Sequence, residues 1–165
     1  MSEISKAVTS NAQPAVTYRR PLNTQQLTTL HYLYWYRFCT SKQLAVVLQK
    51  SNHKAIQAKL QILEAQGFIG KRYDKSYKLA GRPAEYYITP KGARALEAAK
   101  PNATNPKTTK SLYKNRTVSD DFLKHCIAIR ETAQQLIALY GEQEARKLQP
   151  FTKTFMVQYD NYPTW

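Results

Sequence analysis

The chain has 165 residues, enough for one domain with tails and a sizeable core, and its 25 Lys+Arg against 11 Asp+Glu leave a formal net charge of +14. That excess favours a polyanionic partner, of which nucleic acid is the commonest, with an acidic membrane surface the weaker option. No apolar run could span a bilayer, the start does not read as a signal peptide, and Cys39 and Cys126 stand far apart with no CxxC pair, so no membrane partner is expected and a reduced, cytoplasmic setting is.

His31, His53 and His125 are scattered, at no zinc-ligand spacing, so neither a metal nor a cofactor is expected. The charge is uneven. Residues 1–100 hold sixteen basic against five acidic side chains, and residues 101–165 nine against six. A polyanion-binding surface is therefore expected in the first hundred residues.

Residues 1–21 are polar, lack an apolar period and end in Arg19-Arg20-Pro21, which predicts a disordered basic arm. A first helix is expected from Asn23, with Gln26 completing a capping box and Leu27, Leu30, Leu33 and Tyr34 at helical spacing. It ends in the aromatic run "HYLYWYRF", read as core and interface filling because its rings point in several directions. A second helix should follow at once, capped by Thr40 and Gln43, with Leu44, Val47 and Leu48 on its apolar face. After the turn "QKSN", Ser51 is the expected cap of a third helix that stops at Gly67.

On a helical wheel Ile56, Leu60 and Leu63 form the buried side of that third helix. Ser51, Lys54, Gln57, Ala58 and Gln61 lie opposite. Glutamine can bond adenine bidentately and lysine can reach guanine or phosphate, while a small Ala58 lets the helix axis approach the bases. These five are the candidate base-reading residues. His53 falls nearer the buried side.

Two β-prone segments, "GFIGKRY" and "EYYIT", flank the polar loop "DKSYKLAGRPA" and predict a hairpin with a long basic tip. Lys71, Arg72, Lys75, Lys78 and Arg82 are its candidate phosphate or minor-groove contacts. Lys42, Lys91 and Arg94 are candidate phosphate contacts from neighbouring helices. Tyr86 and Tyr87 must face opposite sides of their strand, so one should pack and the other stay partly exposed. Thr89 and Pro90 then start a fourth helix through Ala93 and Leu96.

The order helix, helix, helix, strand, loop, strand, helix, carried by "LQILEAQGFI" and then "GRPAEYYITPKGARAL", resembles a winged helix-turn-helix domain over roughly residues 22–100. The opening helix, "TSKQLAVVL" and the wing are most similar to the replication-relaxation family of plasmid and mobile-element proteins, and the helix bearing His125 falls where that family often carries a histidine segment. The resemblance implies DNA binding in replication or regulation.

Residues 101–119, rich in Asn, Thr, Lys and Pro, predict a polar linker. From Ser119 as cap, a long helix is expected over about 120–140. Phe122, Cys126, Ile129, Ala133, Leu136 and Tyr140 form a seam on it, with Leu123, Ile127 and Ile137 alongside. The helix should dock on the preceding domain or pair with a second copy as a homodimer. "FTKTFMVQY" is a candidate terminal strand, and the abrupt ending after it is compatible with a fragment of a longer protein.

The fold class expected is thus mainly α with a small β-hairpin, in the α+β sense. It comprises a winged domain over 22–100, a linker over 101–119, and a long helix and strand over 120–165. No GxSxG, HExxH or P-loop occurs, and the twelve tyrosines lack the histidine cluster that relaxase chemistry wants, so no catalytic residues are assigned and an enzyme is not expected. The expected function is sequence-specific binding of double-stranded DNA, as a transcriptional regulator or replication accessory factor. The alternatives are an interaction module of a DNA-processing complex and the N-terminal part of a nuclease-like protein.

Overall fold

The computed structural model describes residues 21–148. The expected basic arm, but for Pro21, and the expected terminal strand lie outside the described residues. Within them the chain is mainly helical, with a three-stranded antiparallel sheet.

Helix α1 spans Thr24–Tyr36 and begins on the predicted capping box. The Asn23 Oδ1 accepts from the Gln26 amide at 2.9 Å, and the Gln26 Oε1 accepts from the Asn23 amide at 3.0 Å. A two-residue strand β1, Cys39–Thr40, precedes α2, Ser41–Val47, which carries the second predicted box between Thr40 and Gln43. Helix α3 spans His53–Ala65. Its cap is Asn52, whose side chain accepts from the Lys54 amide at 2.9 Å, and not the expected Ser51. Both residue types cap well, and the backbone turns helical one residue later than the sequence pattern placed it.

Gly67 closes α3 with φ +74°. The Gly67 amide donates to the Glu64 carbonyl and the Phe68 amide to that of Leu63, the paired bonds of a Schellman motif. The chain then runs into β2, Ile69–Arg72, through a tip containing α4, Lys75–Leu79, back along β3, Glu85–Ile88, and into α5, Pro90–Ala99. Where the sequence predicted a plain loop, α4 forms because Asp74 caps it through bonds from the Ser76 and Tyr77 amides at 2.8 and 3.2 Å.

The Thr-Pro-Lys-Gly start of α5 has a packing reason. Thr89 accepts from the Gly92 amide at 3.1 Å and donates its hydroxyl to the Gly67 carbonyl at 2.8 Å, tying α5 to the end of α3. Gly92 then lies against the Phe68 carbonyl so closely that a methyl group there would overlap it.

Strand β3 is central, in the order β1-β3-β2, with Cys39 opposite Tyr86 and Ile69 opposite Ile88. One sheet face closes on α1, α2, α3 and α5 around Leu30, Leu33, Leu44, Ile56, Leu60, Leu63, Tyr86, Ile88 and Leu96. The other face presents Tyr87 to Phe38, Leu123 and Cys126. Both β3 tyrosines are therefore buried, at 4% and 9% exposure, against the expectation that one would stay partly exposed. A sheet covered on both faces has no solvent side.

The cover on the second face is α7, Asp120–Leu148, interrupted at Gly141 by φ +77°. Ser119 caps it as predicted, accepting from the Phe122 amide at 3.3 Å. The buried line is Leu123, Cys126, Arg130 and Ala133, whereas Phe122 and Tyr140 of the expected seam stay exposed. The helix docks on its own chain. The Gln134 side chain donates to the Gln43 carbonyl at 3.2 Å, and Arg130 lies over the rings of Tyr36 and Tyr32 at 4.6 and 5.6 Å. Residues 101–119, expected as a polar linker, are folded. They form α6, Pro106–Ser111, and a 3-10 turn, Leu112–Arg116, held by fully buried Leu112 and by the Asn105 amide donating to the Tyr34 hydroxyl at 2.7 Å.

Candidate nucleic-acid interface

The candidate surface is built on α3 and the β2–α4–β3 hairpin. Ile56, Leu60 and Leu63 anchor α3, each about 1% exposed, so the opposite side must face outward. That side presents Ser51, Lys54, Ala58 and Gln61 to solvent and Gln57 half-buried. No side chain of these five makes a hydrogen bond or ion pair among the described residues, so their donors and acceptors are free. His53 is half-buried, as its place on the wheel predicted.

At the hairpin the predicted cations divide into two sets. Lys75 and Lys78, both on α4, are exposed and unpaired among the described residues. Lys71, Arg72 and Arg82 have internal partners. Lys71 meets Glu64 at 3.2 Å. Arg72 donates to the Val118 carbonyl at 2.6 Å and to Asp120 at 3.0 Å, pinning the start of α7 to the hairpin. Arg82 pairs with Glu85 at 3.2 Å and lies over the Tyr77 ring at 4.4 Å.

Behind that pair, Tyr77 and Glu85 are both buried, and the Tyr77 hydroxyl donates to Glu85 at 2.6 Å. Burial first, and the Glu85 bond second, push the Tyr77 hydroxyl up to about 12, so it remains a donor at any physiological pH. The Ser76 hydroxyl and then the Tyr77 amide hold the Asp74 carboxyl below its usual range, keeping it an ionised cap. The tip is thus a folded unit with its own hydrogen-bonded support.

Among the flanking candidates, Lys42 and Arg94 are exposed, whereas Lys91 donates to the Gln66 carbonyl at 2.6 Å and lies over Phe68 at 5.2 Å, neutralising the exposed carbonyl end of α3. Lys42 also lines a cavity of about 520 Å³ between α2, the hairpin and α7, with Arg82, Glu85, Lys124 and Glu131. The two cysteines are buried, and burial raises their thiols to about 12 for Cys39 and about 11 for Cys126, far from a reactive thiolate.

The sequence reading missed the Tyr77–Glu85–Arg82 network and the buried Arg130. For the first, only the cap of the α4 that carries Tyr77 had a signal, since Asp74 precedes Ser76 at an N-cap spacing. The second had none, because Arg130 lies off the expected seam.

A family model described as replication-relaxation matches residues 30–153. The chain belongs to the replication-relaxation family. The part of the chain matched to the replication-relaxation model runs from the middle of α1 through the hairpin and α5 to α6 and α7, in keeping with the packing of α7 on the sheet. No curated protein and no solved structure matches the chain. Among the described residues, no helix is long and apolar enough to cross a membrane, and no three His, Cys, Asp or Glu side chains are grouped to hold a metal.

Proposed function

We propose that this replication-relaxation protein binds double-stranded DNA as a winged helix, with α3 in the major groove and the β2–α4–β3 hairpin as the wing. It would act in replication or its regulation as a binding protein, not as an enzyme. One observation carries the reading: Ser51, just before α3, and Lys54, Ala58 and Gln61 on its outward side have no internal side-chain partner among the described residues, and α4, within the hairpin that follows α3, exposes Lys75 and Lys78. The first set can read base edges and the second can meet phosphates.

Lys54 and Gln61 are the principal base readers on this reading. Gln57 has a smaller part, since it is half-buried. Lys71, Arg72 and Arg82 hold the hairpin in place and are not free to lead contact. A dimer built on α7 would use Phe122, Leu139 and Tyr140, the apolar side chains that helix leaves exposed.

The test is selection of bound duplexes from a random pool, followed by affinity for the enriched site. Gln61→Ala should lower discrimination against substituted sites by about 1–3 kcal/mol while leaving binding to unrelated duplexes unchanged. A pool that shows no enrichment, with the wild-type chain folded, would sink the sequence-specific reading.

A further inference from the structure

Residues 100–119 contain Lys100, Lys107, Lys110, Lys114 and Arg116 and not one Asp or Glu. They fold into α6 and the 3-10 turn with Thr108, Leu112 and Asn115 facing inward, all buried. Asn115 is held by the Arg37 guanidinium, whose Nε donates to its Oδ1 at 3.1 Å. With that side fixed, Lys107, Lys110 and Lys114 follow one another three and four residues apart on the outside. Arg116 and the 65%-exposed Tyr113 stand beside them.

Among the described residues nothing neutralises this row. None of its four cations makes an ion pair or hydrogen bond through its side chain among the described residues. The carboxylates nearest in sequence are occupied elsewhere: on the far side Asp120 pairs with Arg72 at 3.0 Å and Asp121 with Lys124 at 3.8 Å, and on the near side stands Glu97. It accepts from the Asn102 amide at 2.8 Å and from the Thr104 amide and hydroxyl at 2.7 and 2.9 Å. Those bonds, that from Asn102 foremost, keep it ionised below its usual range. A fixed row of like charges repels itself, so a polyanion would relieve a strain that solvent only screens. From Lys107 to Lys114 the row spans about 10–12 Å, about the axial rise of three phosphates along one strand of a duplex.

The row is also remote from α3. Helix α1 stands between them: at its start Gln25 accepts from Lys59 of α3, and at its end Tyr34 and Arg37 hold Asn105 and Asn115. Gln25 and Arg37 lie about 18 Å apart along that helix.

We infer that Lys107, Lys110, Lys114 and Arg116 form a second, sequence-independent site for the phosphate backbone, so that one copy of the chain holds two duplex segments. This rests on the reading of α3 and the wing as the first site.

The experiment uses the full chain and two 20-base-pair duplexes of unrelated sequence, about two helical turns each. One is immobilised and loaded with protein; the second, labelled, is then flowed over it. Wild type should capture the second duplex. The row variant Lys107→Glu/Lys110→Glu/Lys114→Glu, and its milder Gln counterpart, should load normally and capture at least about tenfold less, as expected from losing three phosphate contacts. Conversely, Lys54→Glu/Gln61→Glu should still bind labelled duplex in solution through the row. All substituted positions are exposed, and circular dichroism checks that each variant is folded.

If wild type loads but captures nothing, or if the row variant captures as much as wild type, the second site is overturned. The latter result would assign bridging to a dimer. If the α3 variant loads as well as wild type while the row variant does not load at all, it is the α3 reading that fails and the row remains. A wild type that loads on no duplex overturns both.

Discussion

Tyr77 and Glu85 show how a single hydrogen bond can hold up a surface element. Glu85 is 5% exposed in the central strand, and its two oxygens are taken by the Tyr77 hydroxyl and by Arg82. Removing the hydroxyl leaves a buried carboxylate short of one donor, which costs more than the bond contributed. Tyr77→Phe should therefore destabilise the hairpin by about 1–3 kcal/mol, seen as faster amide exchange in α4 while α3 amides stay protected. His31 provides a second residue-scale test. Its ring packs against Trp35 at a 4.5 Å centroid distance, and burial first, then Lys100, lower its pKa below the ordinary 6.5. The unfolded chain takes up a proton near pH 6.5 that the folded chain refuses until lower pH. Stability should thus be complete above pH 6.5, fall as pH drops below it, and level off beneath the folded pKa. His31→Phe should flatten that limb of a urea-midpoint profile recorded from pH 7.5 to 5.

At the scale of the element, the proposed DNA contact divides between α3 and α4. The three buried side chains of α3 fix which side it turns outward, and that side was legible in the sequence because helical spacing maps directly onto a surface. The short α4 was not, because five residues carry too little periodicity to stand out from a polar loop. Its cap and its buried Tyr77 place Lys75 and Lys78 on the outside. Lys75→Ala and Lys78→Ala should weaken binding to every duplex alike and reduce the log–log salt slope by about 1 each, without changing site preference. Titration of matched and unmatched duplexes across salt concentrations checks this, and a change in preference would move these lysines from positioning to reading. The internal partners of Lys71, Arg72 and Arg82 are not legible in the sequence, which counts charges but not the carboxylates and carbonyls that fold beside them.

For the whole molecule, the decisive feature is α7 lying across the outer face of the sheet. Its Arg130 is 2% exposed, and both its Nε and Nη1 lack a hydrogen-bond partner among the described residues. Desolvating a guanidinium costs several kcal/mol, whereas contact with the rings of Tyr36 and Tyr32 returns about 2 kcal/mol. The cation therefore opposes the docking that the apolar neighbours drive. Arg130→Met, of similar length and without charge, should leave the unfolding free energy unchanged or raise it, by up to about 4 kcal/mol. A clear loss of stability in urea unfolding would show instead that the guanidinium supports the interface.

The sequence by itself determined the helix starts at Asn23, Thr40, Thr89 and Ser119, the stop at Gly67, the inner and outer sides of α3, and the family resemblance. All of these depend on bonds within a few residues or on a repeat along one helix, so they are written locally. Only the tertiary structure decided that Tyr86 and Tyr87 are both buried, that Arg72 and Arg82 turn inward, that residues 101–119 fold, and that α7 spends its apolar side on its own chain. Apart from Arg82, whose partners Tyr77 and Glu85 are near in sequence, these depend on groups far apart in the chain, such as the pairs Arg72–Val118, Arg37–Asn115 and Gln134–Gln43 at separations of 46, 78 and 91 residues, and the free energy of such contacts belongs to the assembled core and not to any stretch of sequence.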